Sequence, residues 1–202
     1  TPQTTPSSTQ PEDTQQVDGG PPELLARILS TRRRHGSQGD RDFRMWLFNY
    51  IKSRLGLTPV LCAEGVIKVS INDKSTVLFS CHVDTVHGQQ ESESGKAQNL
   101  LYDPNFSHLY LSKDSGSGCL GGDDGVGIYI MLEMLRRKVE GHYVFHTGEE
   151  CGGIGARAFV KSNGLWLREN IEQVVAFDRA VQDDANPEVI ITQGGRACAS
   201  ER

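Results

Sequence analysis

Tyr143-Val-Phe-His-Thr-Gly-Glu-Glu-Cys-Gly-Gly153 is the stretch on which the reading of this chain turns. Its first three residues form a short apolar run, as in a buried strand. Two adjacent acids, Glu149 and Glu150, follow the strand end. Neighbouring carboxylates repel each other and are costly to desolvate. Their pairing makes chemical sense if one binds a metal and the other handles a proton. The plainer alternative is a surface acidic turn. Gly152-Gly153 count against that alternative, because small residues let a ligand approach the backbone. The helical zinc-protease pattern His-Glu-x-x-His is absent.

Outward from this stretch, apolar runs alternate with helical patterns. Pro22-Glu23 opens a helix carrying Leu24, Leu25, Ile28 and Leu29. Asp40 is the expected cap of a second helix, whose apolar residues Phe43, Trp46, Leu47, Tyr50, Ile51 and Leu55 recur every three or four positions. Val66–Ile71 alternates as a half-exposed strand, and Val77–Cys81 reads as a central strand buried on both faces. Residues 87–107 read as a loop or strand insertion, with Leu109–Leu111 as a short strand. The Gly-rich run 116–122 leads into a helix over 124–138 with apolar residues on more than one side, as expected of a well-buried helix. Gly125 and Gly127 permit close packing at its start. Ile154–Val160 is a further helix, Val174–Phe177 a strand, and Val189–Ile191 one more strand. The expected fold class is therefore α/β, a mostly parallel or mixed central sheet with helices on both faces. Residues 1–22 are rich in Pro, Thr, Gln and Ser and poor in large apolar residues, and are expected to be a disordered or peripheral tail. Residues 23–202 form the expected domain, lacking its C-terminal part.

In open α/β sheets, ligands collect at the carboxyl ends of the strands. Acids accumulate at those places in this chain. Asp84 follows the 77–83 strand, Asp178 ends the 174–177 strand, and Asp123 stands at the mouth of the helix. In His82-Val-Asp84, positions i and i+2 share a side of the strand, so His82 can bind a metal while Asp84 holds its ring. A satisfied strand-end His beside a turn-forming Asp explains this pair about as well. In Gly121-Gly-Asp-Asp-Gly-Val-Gly127, Asp123 is the candidate to bridge two divalent ions, and Asp124 can serve as a helix cap. Arg179 and Arg196 are candidates for a substrate carboxylate, although surface salt-bridging is the commoner role.

Composition narrows the classes. The 202 residues carry 26 acidic and 21 basic side chains, a net charge of −5, which argues against a general nucleic-acid binder. The short basic run Arg32-Arg33-Arg34 reads as a solvated helix end. No apolar run is long enough to span a bilayer. Five cysteines, Cys62, Cys81, Cys119, Cys151 and Cys198, show no Cys-x-x-Cys spacing. That argues for reduced thiols and a cytoplasmic protein, with a virus-encoded or particle-associated protein as an alternative. Gly116-Ser-Gly-Cys-Leu-Gly121 matches the dinucleotide fingerprint, but the strand before it is short and no ribose-binding acid follows about twenty residues on. No Gly-x-Ser-x-Gly elbow is present.

Taken together, His82-Val-Asp84-Thr-Val, Gly-Gly-Asp123-Asp-Gly-Val-Gly, Thr-Gly-Glu149-Glu150-Cys-Gly-Gly-Ile-Gly-Ala and Phe-Asp178-Arg resemble the zinc-dependent exopeptidase and aminoacylase superfamily. That superfamily includes peptidase T, carboxypeptidase G and related deacylases. The motifs fall in the family's order over residues 77–179. The resemblance implies a hydrolase acting on terminal peptide bonds or N-acyl amino acids. It implies one or two Zn2+ ions, with Co2+ or Mn2+ as substitutes. His82 and Asp178 would hold one zinc, Asp123 would bridge, Glu150 would hold the second, Asp84 would orient His82, and Glu149 would be the general base. In relatives the peptide bond after Asp123 is often cis. Relatives also carry a second zinc-binding His late in the domain, and none follows His146 here. Either a C-terminal segment beyond Arg202 is expected to supply it, or a homo-oligomer or another chain completes the site. Many relatives have Lys or Arg where this chain has Gly125, and many carry an inserted dimerisation domain for which 202 residues leave no room. The competing reading is an inactive structural or assembly module that keeps the peptidase fold.

Overall fold

Val77–His82 (β3) is the strand around which the sheet is organised. A computed structural model of the chain describes residues 22–105 and 107–178, and the backbone at 192–193 and 196–197. Residues 1–21 of the expected tail, the strand at Val189–Ile191 and the side chains of Arg179 and Arg196 lie outside the described residues. β3 pairs in parallel with Gly141–His146 (β6), in the register Leu78↔His142 to His82↔His146, and with Gln173–Ala176 (β7) on its other side. Ile67–Ile71 (β2) runs antiparallel to β6, and Val60–Leu61 (β1) antiparallel to β2. The order β1-β2-β6-β3-β7 is a mixed sheet whose parallel half contains the expected functional strands.

Alternation along the strands makes two apolar faces. Ile67, Val69, Cys81, Tyr143 and Phe145 face one core. There they meet Ile28 of helix Glu23–Ser30 (α1), Phe43 and Leu47 of Gln38–Asn49 (α2), and Ile128, Met131, Leu132 and Leu135 of Gly122–Arg136 (α4). Leu78 and Val144 face the other way and pack on Phe159 of Ile154–Asn170 (α5). Helices therefore cover both faces, as the sequence pattern requires. Each such side chain contributes about 1.5–3 kcal/mol when fully buried. Cys81 is part of this packing, and burial pushes its thiol well above its ordinary range.

Several local expectations change. The cap of α2 is Ser37, whose hydroxyl accepts the Asp40 N–H at 3.1 Å. Asp40 sits one turn in and accepts the Gly36 N–H at 3.0 Å, a reciprocal arrangement like a capping box. A π-helical turn, Tyr50–Arg54, ends α2. The 87–107 stretch holds a short helix, Gln89–Glu93 (α3), and the first strand of a hairpin, Leu100–Asp103 (β4) with His108–Leu111 (β5). α4 buries one side only, and Val126 and Ile130 lie exposed on the other. α5 runs ten residues beyond the expected end, through Gly164. Two short strands, Thr192–Gln193 (β8) and Arg196–Ala197 (β9), pair with each other. The reading of Arg32-Arg33-Arg34 as a solvated helix end fails at its middle residue: α1 stops at Ser30 and Arg33 is fully buried.

Candidate metal centre

β3 and β6 are parallel, so their carboxyl ends open on the same edge of the sheet. His82 ends β3 with its side chain buried. Its Nδ1 lies 3.0 Å from the Asp84 carbonyl oxygen, so Nδ1–H donates there and Nε2 is directed outward. Nε2 lies 2.8 Å from Asp123 Oδ1 and 4.0 Å from Asp178 Oδ1. One ligand atom each from His82, Asp123 and Glu150 lies within 4.8 Å of the other two. The sequence-expected metal residues are thus brought to one place: three form the cluster, and Asp178 stands at its edge.

Asp123 and Asp124 reach this place through the start of α4. Their φ/ψ values are not helical, and the peptide bond between them is cis. Asp124 Oδ1 accepts the Gly127 N–H at 3.0 Å, the bond of a helix cap, while Oδ2 accepts the His82 N–H at 3.2 Å. Asp124 therefore clips the helix mouth to the end of β3. Burial raises its carboxyl to about 8, only partly opposed by the charge of His82. Gly127 is needed for this approach: a Cβ there would lie 2.2 Å from Asp124 Oδ1 and 2.4 Å from the Phe177 carbonyl oxygen.

Asp84 is fully buried, yet its carboxylate lies 3.6 Å from His82 Nδ1, outside hydrogen-bond reach. The hydrogen bond to the ring comes from its backbone carbonyl instead. The carboxylate accepts the Glu149 N–H at 3.1 Å and the Glu150 N–H at 3.3 Å. Burial alone would raise this acid, but the His82 ring and the Glu149 N–H outweigh it and hold it below its ordinary range. Asp84 thus anchors the turn that carries the paired glutamates, a link the sequence does not display. A second anchor comes from α2. Thr147 donates to Asp40 Oδ1 at 3.3 Å, and Asp40 is itself held by Arg44 at 3.0 Å. Gly148, at φ +70, lets the chain turn between Thr147 and Glu149.

The electrostatics are those of crowded acids around one imidazole. Burial lowers the proton affinity of His82, but Asp84, Asp124 and Asp123 together raise it to about 9. The metal-free cluster therefore holds a proton between Nε2 and Asp123. His146, whose ring centroid is 6.3 Å from that of His82, goes the other way, and burial, with the His82 charge, drives it down to about 4. Its Nδ1 is buried with no hydrogen-bond partner among the described residues.

One imidazole and carboxylate oxygens suit zinc, and also cobalt and manganese. Donors around a tetrahedral zinc stand about 3.3 Å apart, given bonds of roughly 2.0–2.1 Å. The Asp123 side chain is 71 % exposed and Glu150 is also exposed, so both have room to close on an ion. The donor set and its freedom fit such a metal, and three protein ligands leave a coordination position open.

A family model described as Peptidase family M28 matches residues 66–201. No curated protein matches the sequence. Among solved structures, LapB from Legionella pneumophila is similar with a TM-score of 0.53 and 17 % identity, over 77 % of this chain and 41 % of that one. The aminoacylhistidine dipeptidase from Vibrio alginolyticus gives 0.52 and 16 %, over 67 % and 29 %. The M20 family metallo-carboxypeptidase Sso-CP2 from Sulfolobus solfataricus gives 0.50 and 19 %, over 76 % and 36 %. At these identities the likeness is one of fold, and the chain spans about two fifths or less of each of these three proteins.

Proposed function

The chain belongs to peptidase family M28, and from that premise we propose that it is the metal-binding part of a zinc-dependent hydrolase of peptide or N-acyl amide bonds. The observation that carries this reading is the convergence of His82, Asp123 and Glu150, from three separate segments, at the carboxyl edge of the sheet. His82, Asp123, Glu150 and Asp178 would hold two zinc ions between them, which leaves each ion an open position. Zinc, when bound, acidifies a water and polarises the scissile carbonyl. The Asp84 carbonyl fixes the His82 ring so that Nε2 faces the site. The Asp84 carboxylate fixes the turn that presents Glu149 beside Glu150. Glu149, half-buried, takes the proton of the attacking water and returns it to the leaving amine. The substrate is then a peptide or an N-acyl amino acid.

The test is hydrolysis of an aminoacyl p-nitroanilide and an N-acetyl amino acid, measured with and without a chelator, in the unaltered chain, Glu149→Gln and His82→Ala. Turnover that needs divalent metal and falls by about 10²–10⁴-fold in Glu149→Gln supports the proposal. Undiminished turnover after chelation and in Glu149→Gln overturns it.

A further inference from the structure

Arg33 is the largest fully buried side chain among the described residues. Its guanidinium makes no salt bridge there and binds backbone carbonyls instead. Nε donates to Val83 at 2.7 Å, Nη1 to Ile28 at 2.8 Å and Thr31 at 3.0 Å, and Nη2 to Gly121 at 3.0 Å. The Arg33 carbonyl in turn accepts the Thr85 N–H at 3.2 Å. The cation also lies 4.9 Å from the centroid of the Phe43 ring. Burial costs a charge dearly, and here it lowers the guanidinium to about 10 without neutralising it.

Where those carbonyls lie is the informative part. Val83 is the residue between His82 and Asp84. Gly121 stands two residues before Asp123. Ile28 and Thr31 belong to the end of α1 and the residue after it, a frame packed on the core. One planar group therefore ties the β3 end and the α4 mouth to a common support, and these two segments carry His82 and Asp123 into the cluster. The charge acts in the same place, since Asp124 and Asp84 are among the acids that act on Arg33. α4 packs tightly against the cation, for a Cβ on Gly125 would lie 2.9 Å from Nη2.

We propose that Arg33 is a positioning residue for the metal centre, setting the spacing between the His82 and Asp123 segments through its carbonyl bonds. The inference rests on the metal-binding reading above. Lysine cannot replace it, because three donors on one nitrogen cannot reach carbonyls on three segments as the guanidinium fork does.

The experiment measures the zinc dissociation constant by competition with a chromophoric chelator, together with the melting temperature of the metal-free protein. The variants are Arg33→Lys, Arg33→Met and Gly125→Ala, the last crowding Nη2 while leaving the arginine in place. Ile51→Ala serves as a control, a core cavity outside the site that lowers stability without touching these bonds. Zinc affinity lower by about tenfold or more in each Arg33 variant that folds and in Gly125→Ala, with Ile51→Ala within twofold of the parent, supports the proposal. Parent-like affinity in the Arg33 variants, or equal weakening in Ile51→Ala, overturns it while the metal reading stands. A parent chain that binds no zinc overturns both.

Discussion

Zinc binding should expel protons, and the number can be worked from the site. In the metal-free protein His82 titrates near 9, raised by Asp84, Asp124 and Asp123 against the opposing effect of burial. At pH 7 it is therefore almost wholly protonated, with the proton between Nε2 and Asp123 Oδ1. A metal at Nε2 must displace that proton, so binding at pH 7 releases about one proton from His82. The apparent affinity then falls about tenfold for each pH unit below 9, about 100-fold from pH 8 to pH 6, since each pH unit corresponds to about 1.4 kcal/mol. Asp124, near 8 in the metal-free state, is drawn toward its ionised form by the incoming positive charge. This steepens the dependence toward a second proton below pH 8. Calorimetric titration with zinc in two buffers of different ionisation heat gives the proton count directly. The sign for stability follows from the same values. Both groups lie higher in the folded state than their ordinary 6.5 and 3.8, so the stability linked to them is present at low pH and is lost as pH rises through 8 and 9. Chelation should therefore lower the melting temperature more at pH 8.5 than at pH 6.5. No proton release at pH 7, with a dissociation constant unchanged between pH 6 and pH 8, would refute the reasoning.

Two further perturbations test the supports of the site. Asp84→Asn leaves one oxygen to accept from Glu149 and Glu150 and turns an NH2 toward the other amide; the expected cost is about 1–3 kcal/mol in denaturant unfolding, with weaker zinc binding, and unchanged values for both would count against the anchoring role of Asp84. Gly127→Ala forces a Cβ against Asp124 and the Phe177 carbonyl; the melting temperature should drop by the equivalent of about 1–3 kcal/mol, despite the helix propensity of alanine, and a rise would refute the close approach.

The sequence showed the core strands and the acids at their ends because both signals are local. β3 and β6 are apolar runs, and an acid just past such a run is visible without knowledge of what it meets. What fails is whatever depends on a choice among chemically equal neighbours. Ser37 and Asp40 are both good caps; the structure makes Ser37 the cap and Asp40 its reciprocal partner, and a Ser-x-x-Asp spacing before an apolar run was the available signal. Gly164 argues locally for an end to α5, yet packing of Phe159, Trp166 and Leu167 against the sheet overrides it. Three consecutive arginines follow α1, and nothing in their spacing marks the middle one for burial. Only the arrival of Val83 and Gly121 from distant segments does so. Asp84 is the subtler case. The His-x-Asp spacing does bring it to the His82 ring, but through its carbonyl, because its carboxylate is taken by two amides from the β6 turn, over sixty residues away.

That division of labour bears on how so many acids can share a small volume. Asp84, Asp123, Asp124, Glu150 and Asp178 gather around one imidazole with Glu149 next to Glu150, and six free carboxylates would drive the segments apart. The chain deals with them individually. Asp84 is held by backbone N–H groups and the His82 ring. Asp124 is buried and capped onto α4, and that burial raises its carboxyl to about 8. Arg33 adds a buried positive charge that acts on Asp124 and Asp84, and His82 adds a titratable one within the cluster. Asp123, Glu150 and Asp178 keep exposed side chains, and partial burial together with the nearby Asp123 charge still raises Glu150 and Asp178. The acids left to solvent are thus the ones assigned to the metal, and the two with the least exposure have structural partners. A divalent ion entering between Nε2 and the exposed carboxylates exchanges the His82 proton for a larger charge, so the same crowding that disfavours the empty cluster drives ion binding.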